Sequence, residues 1–248
     1  MEDDILNLDR PGGATLAYCY TPAKPGVQGT TLVFLPGYMS DMEGGKALAV
    51  DAWAKQQGRA MLRLDYSGCG ASGGDFEDQS LIDWRDDVLF LIDKVTSGSI
   101  TLIGSSMGGW LMLLVALSRP MRVKNLVGIA AAPDFTDWGF TQEQKMTILR
   151  EGKLEEESEY SDEPYVTTRT FWQSGDSARL LHKEIAFDGA VRLLHGQKDD
   201  DVPWAYSLEI AKKIRSDDVQ VHLVKDGDHR LSRDKDIALL IDILSRLG

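Results

Sequence analysis

Apolar and polar positions along this chain switch repeatedly between two periods. Residues 30–35 and 123–131 are nearly continuous apolar and β-branched runs. Such runs suit strands covered on both faces. Residues 60–64, 100–103 and 191–195 are shorter runs of the same kind, and residues 14–20 and 219–224 alternate as half-buried strands do. Between them the period lengthens to that of a helix. In residues 80–95, Leu81, Trp84, Val88, Leu91, Ile92 and Val95 recur at helical spacing behind Ser80, a capping residue type. Residues 45–57 present Ala47, Leu48, Val50, Trp53 and Ala54 on one side. Residues 107–119 are apolar almost throughout and stop before Pro120, residues 203–214 carry Pro203 in their first turn, and residues 234–247 close the chain. Strands alternating with helices predict a mostly parallel sheet with helices on both faces, an α/β fold.

One stretch breaks the rhythm. Residues 134–185 show no strand–helix repeat and are too long for a simple connection. The acidic run from Glu151 to Glu159 reads as solvated, whereas Phe135, Trp138, Phe140, Phe171 and Trp172 around it need burial. The stretch is expected to be an inserted helical lid on a core made of residues 1–133 and 186–248. A disordered surface loop is the alternative. No internal repeat is visible.

Composition narrows the function. The chain has 248 residues, 43% of them hydrophobic and 27% charged, enough for one sizeable soluble domain. A net charge of −12 argues against nucleic acid as a partner and against docking on anionic lipid. Cys19 and Cys69 have neither metal-ligand spacing nor a disulfide framework. No apolar run reaches the ~18 residues of a membrane span. The acidic start, Met1-Glu2-Asp3-Asp4, lacks the charge of a signal or transit peptide. A cytoplasmic location is expected, with a mature chain whose leader is absent as the alternative.

The chemistry centres on Gly104-Ser105-Ser106-Met107-Gly108. A Gly-x-Ser-x-Gly between a strand and a helix forms a nucleophile elbow, a strained turn that lifts the serine hydroxyl above the sheet. A Gly-rich turn without chemistry is the plainer alternative. Serine needs a base within hydrogen-bond reach and a group that orients the base. Four histidines are available. His222 lies inside an alternating strand, His182 near the end of the inserted stretch, and His195 at a strand end. His229, in Asp226-Gly227-Asp228-His229-Arg230, follows a strand and precedes the last helix, so its loop reaches the sheet edge that presents Ser106. It is the candidate base. Asp199, Asp200 and Asp201 follow another strand and offer the acid; they also suit a solvated helix start, which favours negative charge. Serine, acid and histidine then run in the order used by α/β-hydrolases. For the oxyanion, the backbone N–H groups of Met107 and of Tyr38, in the Pro36-Gly37-Tyr38-Met39 loop, are the candidates.

With these parts assembled, the chain resembles an α/β-hydrolase over nearly its whole length. Within that fold it is most similar to the family of mitochondrial acyl-protein (palmitoyl-protein) thioesterases that also act as acyl-glucuronide esterases, and to their bacterial relatives. The resemblance is carried by five stretches: residues 34–42, Phe-Leu-Pro-Gly-Tyr-Met-Ser-Asp-Met; 65–74, Asp-Tyr-Ser-Gly-Cys-Gly-Ala-Ser-Gly-Gly; 104–113; 192–204; and Gly227-Asp228-His229-Arg230. The His-Gly-x-x-Asp-x-x-Val-Pro pattern of the wider fold implies Asp199 as the acid and makes His195 a strand-end residue. The lid follows the family least closely, and the mitochondrial address does not carry over to an acidic N-terminus.

The expected reaction is hydrolysis of a carboxylic ester or thioester on a small molecule or an S-acylated protein, with no metal or organic cofactor. Trp110, Trp138 and Trp172 are candidates for an apolar acyl pocket, although tryptophans of this kind are more often plain core. A peptidase of the same fold would use the same triad. Dehalogenation or epoxide opening would want Asp at the elbow, and a non-catalytic binding module would leave the triad without purpose.

Overall fold

The computed structural model describes residues 4–157 and 164–247. Met1, Glu2 and Asp3 of the acidic start, and Ser158 and Glu159 of the acidic run, lie outside the described residues. Ten strands occur among them: β1 Leu6–Asp9, β2 Thr15–Thr21, β3 Thr31–Leu35, β4 Met61–Leu64, β5 Ile100–Ser105, β6 Val123–Ile129, β7 Lys153–Glu156, β8 Tyr165–Thr168, β9 Ala190–Gly196 and β10 Val219–Val224. The helices are α1 Gly45–Gln57, α2 Leu81–Val95, α3 Met107–Ser118, α4 Phe135–Trp138, α5 Gln142–Glu151, α6 Arg169–Ser177, α7 Ala205–Lys213 and α8 Asp234–Ser245. Eight strands form one sheet in the order β1-β2-β4-β3-β5-β6-β9-β10. β1 and β2 are antiparallel additions, and the strands from β4 to β10 run parallel.

The unbroken apolar runs are explained by burial on two faces. In β3, Val33 and Leu35 join a cluster with Trp84, Leu91 and Trp110 from α2 and α3. Leu32 and Phe34, one residue out of phase, join a second cluster with Val50 of α1 and Leu240 and Leu244 of α8. Each such fully buried aliphatic side chain contributes about 1.5–3 kcal/mol. α3 has no polar stripe because Met107 to Ala116 are all buried, between the sheet and α2. Ser80 caps α2 as its residue type predicts: Ser80 and Asp83 satisfy each other's backbone N–H groups.

Two features depart from the sequence expectation. β1 had no visible signal, since its four residues, Leu-Asn-Leu-Asp, are mostly exposed. The stretch between β6 and β9 is not purely helical. Part of the acidic run forms β7, paired antiparallel with β8, and Glu156 is half-buried rather than fully solvated. A local polar pattern gives no hint of a partner strand that follows nine residues later.

Candidate active site

Four strand-to-loop junctions of the parallel sheet supply the candidate residues, and all lie at the carboxyl ends of their strands. β5 ends at Ser105, and Ser106 turns directly into α3 with φ 54° and ψ −119°. A non-glycine residue in such a conformation costs roughly 1–3 kcal/mol and persists only where its surroundings enforce it. They do so here. Ser106 N–H donates to the Ile129 carbonyl at 2.9 Å, and the Ser106 carbonyl accepts from Gly109 and Ala132 at 2.9 and 3.0 Å. Gly108 is required by a close approach: a Cβ there would lie 2.1 Å from the Leu35 carbonyl oxygen. The elbow is thereby pressed against the end of β3 and the loop that follows it.

That loop carries Tyr38. A Cβ placed on its neighbour Gly37 would lie 3.4 Å from the Ser106 Cβ, so the loop backbone runs alongside the serine. Among the described hydrogen bonds, neither the Tyr38 N–H nor the Met107 N–H donates to another group. The Tyr38 side chain points the other way. Its hydroxyl donates to the Val166 carbonyl of β8 at 2.5 Å, and its ring packs on Phe171 at 4.8 Å, Phe76 at 5.3 Å and Trp84 at 5.8 Å. Burial in this cluster holds the phenol well above its usual range. One residue thus joins the backbone beside Ser106 to the inserted stretch.

β9 leads to Asp199 and β10 to His229. The two loops are laced together by backbone: Gln197 N–H donates to the Val224 carbonyl at 2.9 Å and Lys198 N–H to the Gly227 carbonyl at 2.8 Å. A side chain at Gly196 would close this gap, because its Cβ would sit 2.3 Å from the Gly227 carbonyl oxygen. His229 Nδ1 and Asp199 Oδ2 are 2.9 Å apart, with the Asp199 side chain fully buried and His229 18% exposed. The other oxygen, Asp199 Oδ1, accepts from Val202 N–H at 2.7 Å and Asp201 N–H at 3.0 Å. Burial pushes this carboxyl up, but hydrogen bonds from His195 and His229 outweigh it and hold it well below the usual carboxylate range. With Nδ1 facing the carboxylate, Nε2 is the ring nitrogen left for a substrate-side proton. Among the described hydrogen bonds none joins Ser106 Oγ to His229; such bonds are often long before substrate binds.

The remaining sequence candidates lie apart from this pair, except Asp201, whose exposed carboxylate comes within 4.8 Å of Asp199 and His229. Asp200 is exposed. His182 is exposed, and His222 is half-buried on the edge strand β10. The three tryptophans are not brought together: no ring contact among the described residues joins any two of them. Trp110 is fully buried in the core beside Phe135, and Trp172 pins α6 to α4 through the Thr136 carbonyl. Trp138 stacks on Tyr206 of α7 at 4.2 Å. It lines a 460 Å³ cleft with Asp134, Arg179 and His182, among others, and neither Ser106 nor His229 borders it.

Two residues near the site had not been singled out for it. Lys46, at the start of α1, donates to the Arg230 carbonyl next to His229. Burial and the nearby Arg230 charge push its ammonium down to about 8. His195 is fully buried against Asp199. Its His-Gly context was a signal for a strand end; only the folded loops show its ring reaching the acid.

The chain is similar to known proteins throughout. A family model described as the alpha/beta hydrolase fold matches residues 30–149. The human palmitoyl-protein thioesterase ABHD10, mitochondrial, is 41% identical over 250 residues, covering 97% of this chain and 80% of that protein. The solved structure of alpha/beta hydrolase domain-containing protein 10 from mouse superposes with a TM-score of 0.90 at 39% identity, covering 99% of this chain and 100% of that one. A putative hydrolase from Agrobacterium vitis S4 superposes with a TM-score of 0.91 at 34% identity, covering 99% and 98%.

Proposed function

The chain belongs to the α/β-hydrolase family and is a hydrolase of that fold, and from that premise we propose that it cleaves carboxylic esters or thioesters through Ser106, His229 and Asp199. The observation that carries the reading is the 2.9 Å contact between His229 Nδ1 and a fully buried Asp199 carboxylate, on loops that reach the edge where Ser106 stands. His229 takes the proton of Ser106 as Oγ attacks the acyl carbon. The N–H groups of Tyr38 and Met107 receive the oxyanion; one such donor is worth about 3 kcal/mol in the transition state. Protonated His229 then gives its proton to the leaving alcohol or thiol. Water activated by the same ring releases the acid and restores Ser106. Asp199 fixes the imidazole tautomer and stabilises the imidazolium.

The human relative is named for palmitoyl-protein thioesterase activity, which favours S-acylated protein or a related acyl thioester as substrate. The inserted stretch, residues 134–185, serves as the lid. Its aromatic side chains Phe135, Tyr165 and Phe171 gather around the Tyr38 ring, which ties the inserted stretch to the oxyanion loop. Cys19 and Cys69 are both buried thiols, which fits a compartment that keeps thiols reduced, the cytoplasm or the mitochondrial interior. Among the described residues no helix is long and apolar enough to cross a membrane.

A fluorophosphonate probe tests the nucleophile directly. Folded wild type takes one label, located on Ser106 by peptide mapping, and Ser106→Ala takes none. Absence of labelling on folded wild type removes the proposal. A panel of p-nitrophenyl esters, acyl thioesters and peptides then ranks the leaving groups; faster turnover of peptides than of thioesters would favour the peptidase alternative.

A further inference from the structure

We propose that His195, held by Ser207, is a positioning residue that fixes the Asp199 carboxylate and sets how strongly it acts on His229. The inference rests on the Ser106–Asp199–His229 reading above. Asp199 Oδ2 faces two imidazoles: His229 Nδ1 at 2.9 Å and His195 Nε2 at 3.1 Å. Both of its oxygens are therefore shared between two donors, the other pair being the Asp201 and Val202 N–H groups. A carboxylate with four donors around it cannot rotate without losing one of them.

The geometry also places a proton on one edge of His195. Nε2 lies 3.1 Å from a carboxylate oxygen and 3.0 Å from the Val202 carbonyl, two groups that only accept. Nε2 must then carry the proton. On the other side Nδ1 and Ser207 Oγ are 2.7 Å apart and share a hydrogen bond. A ring with Nε2–H satisfies all three contacts. Ser207 is 1% exposed and His195 is fully buried, so no water competes for these positions. The hydroxyl on α7 therefore holds the far edge of a ring on β9, and that ring donates to the acid in the following loop. No step of the proposed reaction uses His195 as a base.

A donor on Oδ2 has a second consequence. It draws charge from the oxygen that faces His229, and so weakens the stabilisation of the His229 imidazolium. The other charged groups around the pair are Asp201 in the acid loop, Asp228 and Arg230 beside His229, and Lys46 from α1. None is altered by the variants below. Loss of the His195 donor should make His229 more basic and move the acid limb of the kcat/KM profile to higher pH.

The full-length chain is compared as wild type, His195→Leu, His195→Gln and Ser207→Ala, on a p-nitrophenyl ester, with melting temperature recorded for each. Gln places an amide N–H where Nε2–H stands; Leu fills space without a donor. His195→Leu is expected to lower kcat about 10- to 100-fold with KM nearly unchanged, the size of effect that misplacing a reacting group produces. Its acid limb should shift upward. His195→Gln should recover most of the lost kcat and the wild-type limb, and Ser207→Ala should show the Leu pattern in weaker form. Equal losses in Leu and Gln, with the acid limb unmoved in Ser207→Ala, would reduce His195 to packing and overturn the proposal. Should His195→Leu fail to fold, the limb and kcat of Ser207→Ala decide alone. Asp199→Asn and His229→Ala run in parallel: wild-type activity in either overturns the underlying triad reading, an outcome distinct from failure of the His195 proposal.

Discussion

The acid and histidine loops are joined to each other by main chain, whereas the inserted stretch is joined to the rest of the molecule largely by side chains. In the first region Gln197 and Lys198 donate to the carbonyls of Val224 and Gly227, and Asp199 accepts from two N–H groups of its own loop. In the second, Tyr38 Oη reaches the Val166 carbonyl, Leu81 N–H reaches Ser174 Oγ at 2.9 Å, and Lys153 pairs with Glu77 at 3.1 Å. Rings of Phe135 and Phe171 add contacts with Tyr38, Trp84 and Trp110. Backbone ties constrain position to a few tenths of an ångström whatever the side chains, while side-chain ties change with each substitution. A site that needs fixed geometry sits on the first kind, and a surface that adapts to different acyl groups can be built from the second.

The comparison can be broken most sharply at the acid. Asp199→Asn leaves the loop main chain in place but removes the charge that orients His229. Turnover should fall about 10⁴-fold, by analogy with other triads, with little change in KM. Steady-state kinetics on an ester checks this; an equal loss in Asp200→Asn, with Asp199→Asn active, would move the acid along the loop.

A backbone defect in the same region should come next. Gly196→Ala forces a methyl group to within 2.3 Å of the Gly227 carbonyl oxygen, so the two loops must part. Overpacking of this kind costs about 1–3 kcal/mol. A melting temperature lower by several degrees and a kcat reduced about 100-fold are expected. If activity survives untouched, the lacing of the loops is not what holds His229 on Asp199.

The pH dependence of the first region is smaller in energy but distinct in sign. Asp199 is held below its ordinary carboxylate range, so its stabilising effect is present above the unfolded value, about 3.9. It is lost as pH falls through the folded value below that. The stability gap between wild type and Asp199→Asn should therefore narrow as the pH drops below about 4. Denaturant unfolding at pH 7 and pH 3.5 measures it, and a gap that widens at low pH would contradict the charged, hydrogen-bonded state.

The smallest effect is expected in the second region. Tyr38→Phe keeps the ring and the backbone N–H but removes the hydroxyl that holds Val166. The loss of one such hydrogen bond is worth about 1 kcal/mol. kcat should change only a few-fold, with the larger change in KM for long acyl substrates. A collapse of kcat on short and long esters alike would show that the inserted stretch, through Tyr38, sets the oxyanion geometry itself.

The sequence by itself determined the layered architecture and made Ser106 the candidate nucleophile. The unbroken runs of β3 and β6 could only be strands covered on both faces, and the 3.6-residue recurrence in α2 could only be a helix lying on one of them. Gly104, Ser106 and Gly108 were readable because a strand, a strained turn and a helix follow each other along the chain. Such signals are local, written by the periods of strand and helix and by the few residues that tolerate special backbone angles. The tertiary structure alone decided what depends on which loops cross. It brought Gly196 against Gly227, turned His195 from a strand end into a second donor on Asp199, paired the acidic β7 with β8, and sent three tryptophans to three different places. None of these contacts leaves a period in the sequence, because each partner is fixed by the meeting of segments distant along the chain and by burial, which withdraws the competing water.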